Sequence, residues 1–180
     1  MAEPLRPAPA KTFGRKNWFL LNTLAGYATG AGPTVAEMTA VSTLDITRIA
    51  FADGAPAPTQ STNAAEQQRR WGDTETFQFT GTTTYAGGEM TYAMNPQGVA
   101  ADDDVKLWEK LEEGGLFFLV RRLAVVRATA PAAGQFVDIF PADFGPSMPI
   151  ESGDGESSEG AATSTFTVYN KPLFKVAITA

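Results

Sequence analysis

The chain has neither cysteine nor histidine in its 180 residues. That excludes disulfides, thiol nucleophiles, His-based triads and the usual zinc sites. A general base would have to be Asp, Glu, Lys or Tyr, and a metal site could use only carboxylates and carbonyls. Long apolar runs are missing as well. The longest, "LFFLV" from Leu116 to Val120, has the length of a core strand and is far too short to span a membrane. The opening "MAEPLRPAPAKTFGRKN" lacks the apolar stretch of a signal peptide, so a soluble protein made in a cytoplasm is expected. Basic residues are in deficit: 14 Lys and Arg stand against 20 Asp and Glu, for a net charge of −6. Such a chain repels nucleic-acid phosphates. The basic run "RRLAVVRA" (Arg121, Arg122, Arg127) reads as a strand whose arginines face solvent or pair with carboxylates.

What is present favours a β protein. Hydrophobic residues make up 43% of the chain, enough for a real core in one domain. Seventeen Gly, twelve Pro and many Thr point to strands and turns. Residues 1–16, with Pro4, Pro7 and Pro9, read as an extended arm. The domain proper is expected over 17–180. "NWFLLNT" (Asn17–Thr23) is the first strand candidate, followed by the glycine-rich connector "AGYATGAGP". Thr34–Phe51 has β composition, with Leu44 and Ile46 on one face and Asp45 and Thr47 on the other.

"TETFQFTGTTTY" (Thr74–Tyr85) alternates again, and "AGG" turns into "EMTYAM" as its hairpin partner. Phe77, Phe79, Phe166 and Phe174 are expected inside. The one convincing helix is "DDDVKLWEKLEEGG". Asp102–Asp104 cap its start, Asp102 and Lys106 pair at i, i+4, and Gly114 and Gly115 stop it. Val105, Leu107, Trp108 and Leu111 form its apolar face. "LFFLVRRLAVVRA" and "QFVDIFPADFG" are strands, the second with Pro141 at an edge or bulge. "PSMPIESGDGESSEGAAT" reads as a solvated acidic loop, and "STFTVYNKPLFKVAITA" holds two closing strands. Together these give two packed antiparallel sheets, sandwich- or barrel-like, with one short flanking helix.

No motif carries chemistry. The "DDD" run suits helix capping as well as a cation site, and "GDGESSEG" lacks the spacing of a calcium loop. Trp18, Trp71 and Trp108 are placed in a strand, at the end of a loop and on the helix, where burial is the default. There is no P-loop, dinucleotide fingerprint or Gly-x-Ser-x-Gly. One feature stands out: the polar segment 52–72, too long for an ordinary loop. Asp53–Arg70 has too little apolar surface to pack on its own domain.

The order of features is more telling than any motif. A long polar insertion is followed by "TFQFTGTTTY", then "DDDVKLWEKLEEG", an Arg-rich "LVRR", "AAGQFVDIFPADFG", a "GDGE" loop and closing "KVAITA". Over roughly residues 17–180 this resembles the major tail protein, or tail-tube protein, of long-tailed, non-contractile bacteriophages, especially those infecting actinobacteria. The resemblance implies six-membered rings stacked into a tube, with inner sheets joined around a lumen. It implies a tape-measure protein in that lumen, terminator and tip proteins at the ends, and DNA passing without specific binding. It implies no enzymatic step, no catalytic residue, no metal and no cofactor. The place of action would be the virion tail, with assembly in the host cytoplasm. On this reading the insertion is an arm to another subunit, with Asp53, Gln60, Glu66, Arg69, Arg70 and Trp71 as contact candidates. Two other readings stay open: a β-sandwich binding module for carbohydrate or a virion surface, and an enzyme built on a carboxylate pair.

Overall fold

The computed structural model describes residues 12, 14–52, 58–72, 74–151 and 159–180. The mainly β expectation holds. Three strands form the centre: β1 (Lys16–Leu21), β6 (Gly115–Leu123) and β7 (Phe136–Phe144). They lie antiparallel in that order, with Phe19 opposite Val120 and Val120 opposite Ile139. β2 (Leu44–Asp45) flanks β1. Beyond β7 the sheet divides: β10 (Leu173–Ala177) takes one half of that edge, and β9 (Gly160–Val168) takes the other. β9 also carries β5 (Gly88–Ala93) and β8 (Met148–Glu151). The result is an eight-stranded curled antiparallel sheet.

The central strands are apolar at most positions because both of their faces are covered along most of their length. Trp18, Leu20, Phe117, Leu119, Phe140, Ala142 and Phe144 enter one core cluster. Phe19, Leu21, Val120, Val137 and Ile139 enter a second on the opposite face. The two-residue period of a strand sorts alternate side chains between them. The helix α2 (Asp103–Leu111) closes the first cluster with Leu107 and Leu111, together with Met90, Tyr92 and Phe166. The short helix α1 (Val35–Thr39) supplies Met38 to the second.

Pro141 sits in the middle of β7, yet it disturbs no ladder bond. Its carbonyl accepts from Tyr169 N–H at 3.3 Å, on the edge where β10 has ended and β9 begins. The N–H that proline lacks would point to the same place.

Several expectations need correction. Thr34–Phe51 is not continuous β. Thr34 caps α1 by accepting from Glu37 N–H, and the Glu37 carboxylate reaches back to Thr34 N–H. That reciprocal capping box outweighs the β-branched composition. β4 (Gln78–Ala86) does not form a hairpin with β5. A Cβ at Gly87 would overlap the Phe166 carbonyl, so the chain crosses close under β9, and β5 pairs there instead. Segment 52–72 is not all loop, because β3 (Thr59–Glu66) lies within it and pairs with β4. The start of the acidic loop is the strand β8; its "GDGE" part and the arm's residues 1–11 fall outside the described residues.

On α2, Lys106 pairs with Asp103 at 3.1 Å rather than with Asp102. Asp102 holds the N-cap position without a side-chain cap bond to the helix. Trp108 is only half buried, whereas Leu107 and Leu111 are fully inside. Gly114 does end the helix region, at φ +76°, where a side chain would strike the Phe144 carbonyl.

Candidate functional site

The most exposed part of the described chain is the β3–β4 ribbon. It is a separate two-stranded sheet, and every β3 residue is exposed. Neither strand has the sequence of a core face. "TQSTNAAE" has no large apolar residue, and "QFTGTTTYA" alternates threonine with two aromatics. β-branched threonines fit a pleated surface without needing burial. The strands bind each other through the ladder and through side-chain bonds, Thr62 Oγ1 with Thr83 Oγ1 at 3.0 Å and Thr84 Oγ1 to the Ser61 carbonyl at 3.4 Å.

A β-bulge shapes the ribbon. Asn63 faces two residues, Gly81 and Thr82, between the pairs Thr62–Thr83 and Ala64–Thr80. Directly opposed residues share a face. Gln60, Thr62 and Glu66 therefore stand on one face with Tyr85, Thr83 and Gln78, while Phe79 and Ala65 stand on the other. Beyond the strands the chain closes through a Gln67 N–H to Phe77 carbonyl bond at 2.9 Å. A nine-residue strand rises about 3.4 Å per residue, so the tip lies about 27 Å from the base at Ala86.

The residues singled out from sequence fall on this ribbon, apart from Asp53, which lies outside the described residues. Gln60 and Glu66 share a face about 20 Å apart along β3. Arg69, Arg70 and Trp71 sit in the tip, all exposed, with Trp71 wholly so. They form a strip and a tip rather than one cluster. Sequence reasoning missed the aromatics around them. Phe77 and Phe79 are each 59% exposed and Phe174 is 48% exposed; of the four expected inside, Phe166 alone is buried. Alternation identifies two faces but not which one is covered.

The arginines of the basic run take three different roles. Arg121 pairs with Asp138 at 2.9 Å and lies over the rings of Trp18 and Phe140. Arg127 pairs with Asp45 at 3.1 Å. Arg122 neither faces solvent nor bonds a carboxylate. It is buried over Phe19 and donates to the Thr129 carbonyl at 2.7 Å and to Gln135 Oε1 at 2.9 Å. Burial lowers its guanidinium pKa, against the opposing influence of Asp45. These bonds pin the 124–135 connection to the sheet.

Among the described residues, no group of three or more acidic side chains is placed to hold a metal ion. No helix among them is long and apolar enough to cross a membrane.

Fold and site together define a mainly β chain that carries much of its exposed aromatic surface on a projecting ribbon. The chain belongs to the phage tail tube protein family, whose model matches residues 5–180. A comparison with curated proteins finds no match. Membership makes this a structural component of the virion tail, and tail tubes are self-assembled from such chains.

Proposed function

We propose that the protein is the tube subunit of a long, non-contractile phage tail. Copies close into rings, six to a ring by the family resemblance, and the rings stack around a lumen through which the genome leaves. A tape-measure protein fills that lumen beforehand, terminator and tip proteins bind the ends, and assembly takes place in the host cytoplasm. The chain acts as a wall and performs no catalysis. Residues 1–16 serve as an arm and 17–180 as the tube domain.

The observation that carries this reading is the β3–β4 ribbon. A lone two-stranded ribbon in water is marginal, and open strand edges invite pairing. In a tube, neighbouring copies cover both. Gln60 and Glu66 contact along one face, while Arg69, Arg70 and Trp71 contact from a tip that reaches the adjoining ring; Asp53 is a further contact residue. A ring of six carries a net −36, six times −6, which keeps a sliding polyanion from being trapped.

Replacing residues 54–85 with a short Gly–Ser linker tests this. Phe51 and Gly88 stay joined to the sheet through Thr91 and Phe166. The variant should therefore keep its circular dichroism and melting behaviour yet form no tubes under negative stain. Tubes of parental length would overturn the role assigned to the ribbon.

The exposure of Trp71, Phe77 and Phe79 favours a second reading, a carbohydrate-binding module. Saturable glycan binding that is lost in Trp71→Ala, with no rings or tubes at any concentration, would select it.

A further inference from the structure

Two cavities lie side by side along α2. One, about 280 Å³, is lined by Val105, Trp108 and Pro149. The other, about 330 Å³, is lined by Asp104 and Glu159. Met94, Asn95 and Pro96 line both, so the two make one continuous groove. One half is apolar, walled by an indole and two prolines. The other half is acidic. The half-burial of Trp108 follows from this: one part of the ring meets the core, and another meets the groove.

Grooves walled by tryptophan and proline suit proline-rich segments, which dock as a preformed polyproline II helix at little entropic cost. This chain contains such a segment, "EPLRPAP" at residues 3–9. Pro4 and Pro7 are three residues apart, one turn of that helix, so they fall on one edge. Arg6 sits between them and brings a positive charge to match Asp104 and Glu159.

We propose that this groove receives the Pro4–Pro9 segment of a neighbouring copy, with the prolines against Trp108 and Arg6 against the acidic half. The proposal rests on the tail-tube reading only in requiring adjacent copies. The described chain starts at Thr12. Residues 3–11, extended at about 3.1 Å each, span about 28 Å, enough to cross a subunit boundary. Copies held side by side raise the effective concentration of the segment and offset the cost of ordering it.

A charge swap in the full chain tests both the contact and its partner. Asp104 is half-buried on α2 and lies outside both core clusters, so Asp104→Arg should leave the fold intact. Arg6→Glu and Asp104→Arg, each alone, should raise the concentration needed for tubes on the order of tenfold. Both changes in one chain should restore it. A mixture of the two single variants should also restore it, because parental arms then meet parental grooves and charge-reversed arms meet charge-reversed grooves. Rescue in the double variant but not in the mixture would place the segment on its own chain and overturn the proposal. Unchanged assembly in both single variants would overturn it while leaving the tail-tube reading in place. A labelled peptide of residues 1–12, titrated with the Arg6→Glu chain, reads the contact without tubes. It should bind at least about tenfold more weakly once Asp104→Arg is added; equal binding would overturn the proposal.

Discussion

The helix α2 is held to the sheet by two leucines, and the strength of that docking follows from their burial. Leu107 and Leu111 have no exposed surface, and both join Tyr92, Phe117 and Phe144 in the first core cluster. The backbone adds an anchor, since the Leu111 carbonyl accepts from Ser147 N–H at 3.0 Å. Leu111→Ala removes buried methyl groups where the neighbours are strands that cannot collapse inward. A loss of about 3–4 kcal/mol is expected. For a chain of this length that is about 6–16 °C in melting temperature. Trp108 has the larger ring but is only partly buried against the cluster. Its truncation should therefore cost less than the usual 3–5 kcal/mol for a fully buried aromatic, about 2–3 kcal/mol. Thermal unfolding followed by circular dichroism, at concentrations too low for assembly, reads both variants. The order Leu111→Ala below Trp108→Ala is the test. If Trp108→Ala melts as low or lower, the helix is anchored by its indole and not by its leucines.

Two further predictions concern polar groups that hold connections in place. Burial raises the Glu37 pKa, but bonds from Thr34 and Ala25 N–H and from the Thr34 hydroxyl outweigh it and leave the group below its ordinary value. A lowered carboxyl contributes stability that is present above the unfolded value and lost as pH falls through the folded one. Glu37→Gln should therefore lower the melting temperature at neutral pH and flatten its acid-side slope, as scanning calorimetry from neutral to acid pH would reveal; parallel curves would contradict the role of the capping box. Arg122→Ala should cost about 2–4 kcal/mol, because the Thr129 carbonyl and Gln135 lose their donor and a void opens beside Phe19. Amide exchange in 124–135 should quicken selectively, and a stability change under about 1 kcal/mol would show that the buried cation is dispensable.

How far the sequence revealed these features depended on whether a pattern had a single cause. "LFFLV" is apolar throughout, and the structure covers both faces of its strand from Phe117 to Val120, so composition and burial agree there, while Leu116 at its start is exposed. α2 was legible for a similar reason, since apolar spacing, acidic start and glycine stop all agree. α1 was missed although its signal, Thr34 with Glu37 three residues on, was present. Its five residues are too few for a periodic stripe. β3 gave no signal of either kind, because a strand exposed on both faces has no alternation to show. The pairing of β5 with β9 depends on a close passage at Gly87, a tertiary fact that local pattern does not encode. The candidate contact residues were read as parts of a loop, whereas the structure places Gln60 and Glu66 on a strand and Arg69, Arg70 and Trp71 just beyond it. Polarity marked 52–72 as unable to pack on its own domain, and the same polarity concealed the strand inside it.

The core and the ribbon follow different physics, and on the proposed reading this separates two free energies. Most of the core forms within one copy: along β1, β6 and β7 the large apolar side chains are covered on both faces except Leu116 and Phe136. Among the described residues the ribbon has no fully buried side chain and no third strand, and only Gly81, Thr83 and Tyr85 are half-buried, so its own contribution to monomer stability is small. Whatever order it gains on assembly is repeated in every copy of every ring. A contact too weak to hold two chains together can then govern whether a tube grows, because each incoming copy makes several at once. Mutations at Leu111 should accordingly lower melting temperature while leaving the concentration threshold for tubes near its parental value in any fold that survives. Changes at Glu66 or Trp71 should do the reverse. Measuring melting and assembly threshold on the same set of variants tests this directly: if the two properties move together across core and ribbon positions, folding and assembly are one transition, and the ribbon is not an independent element.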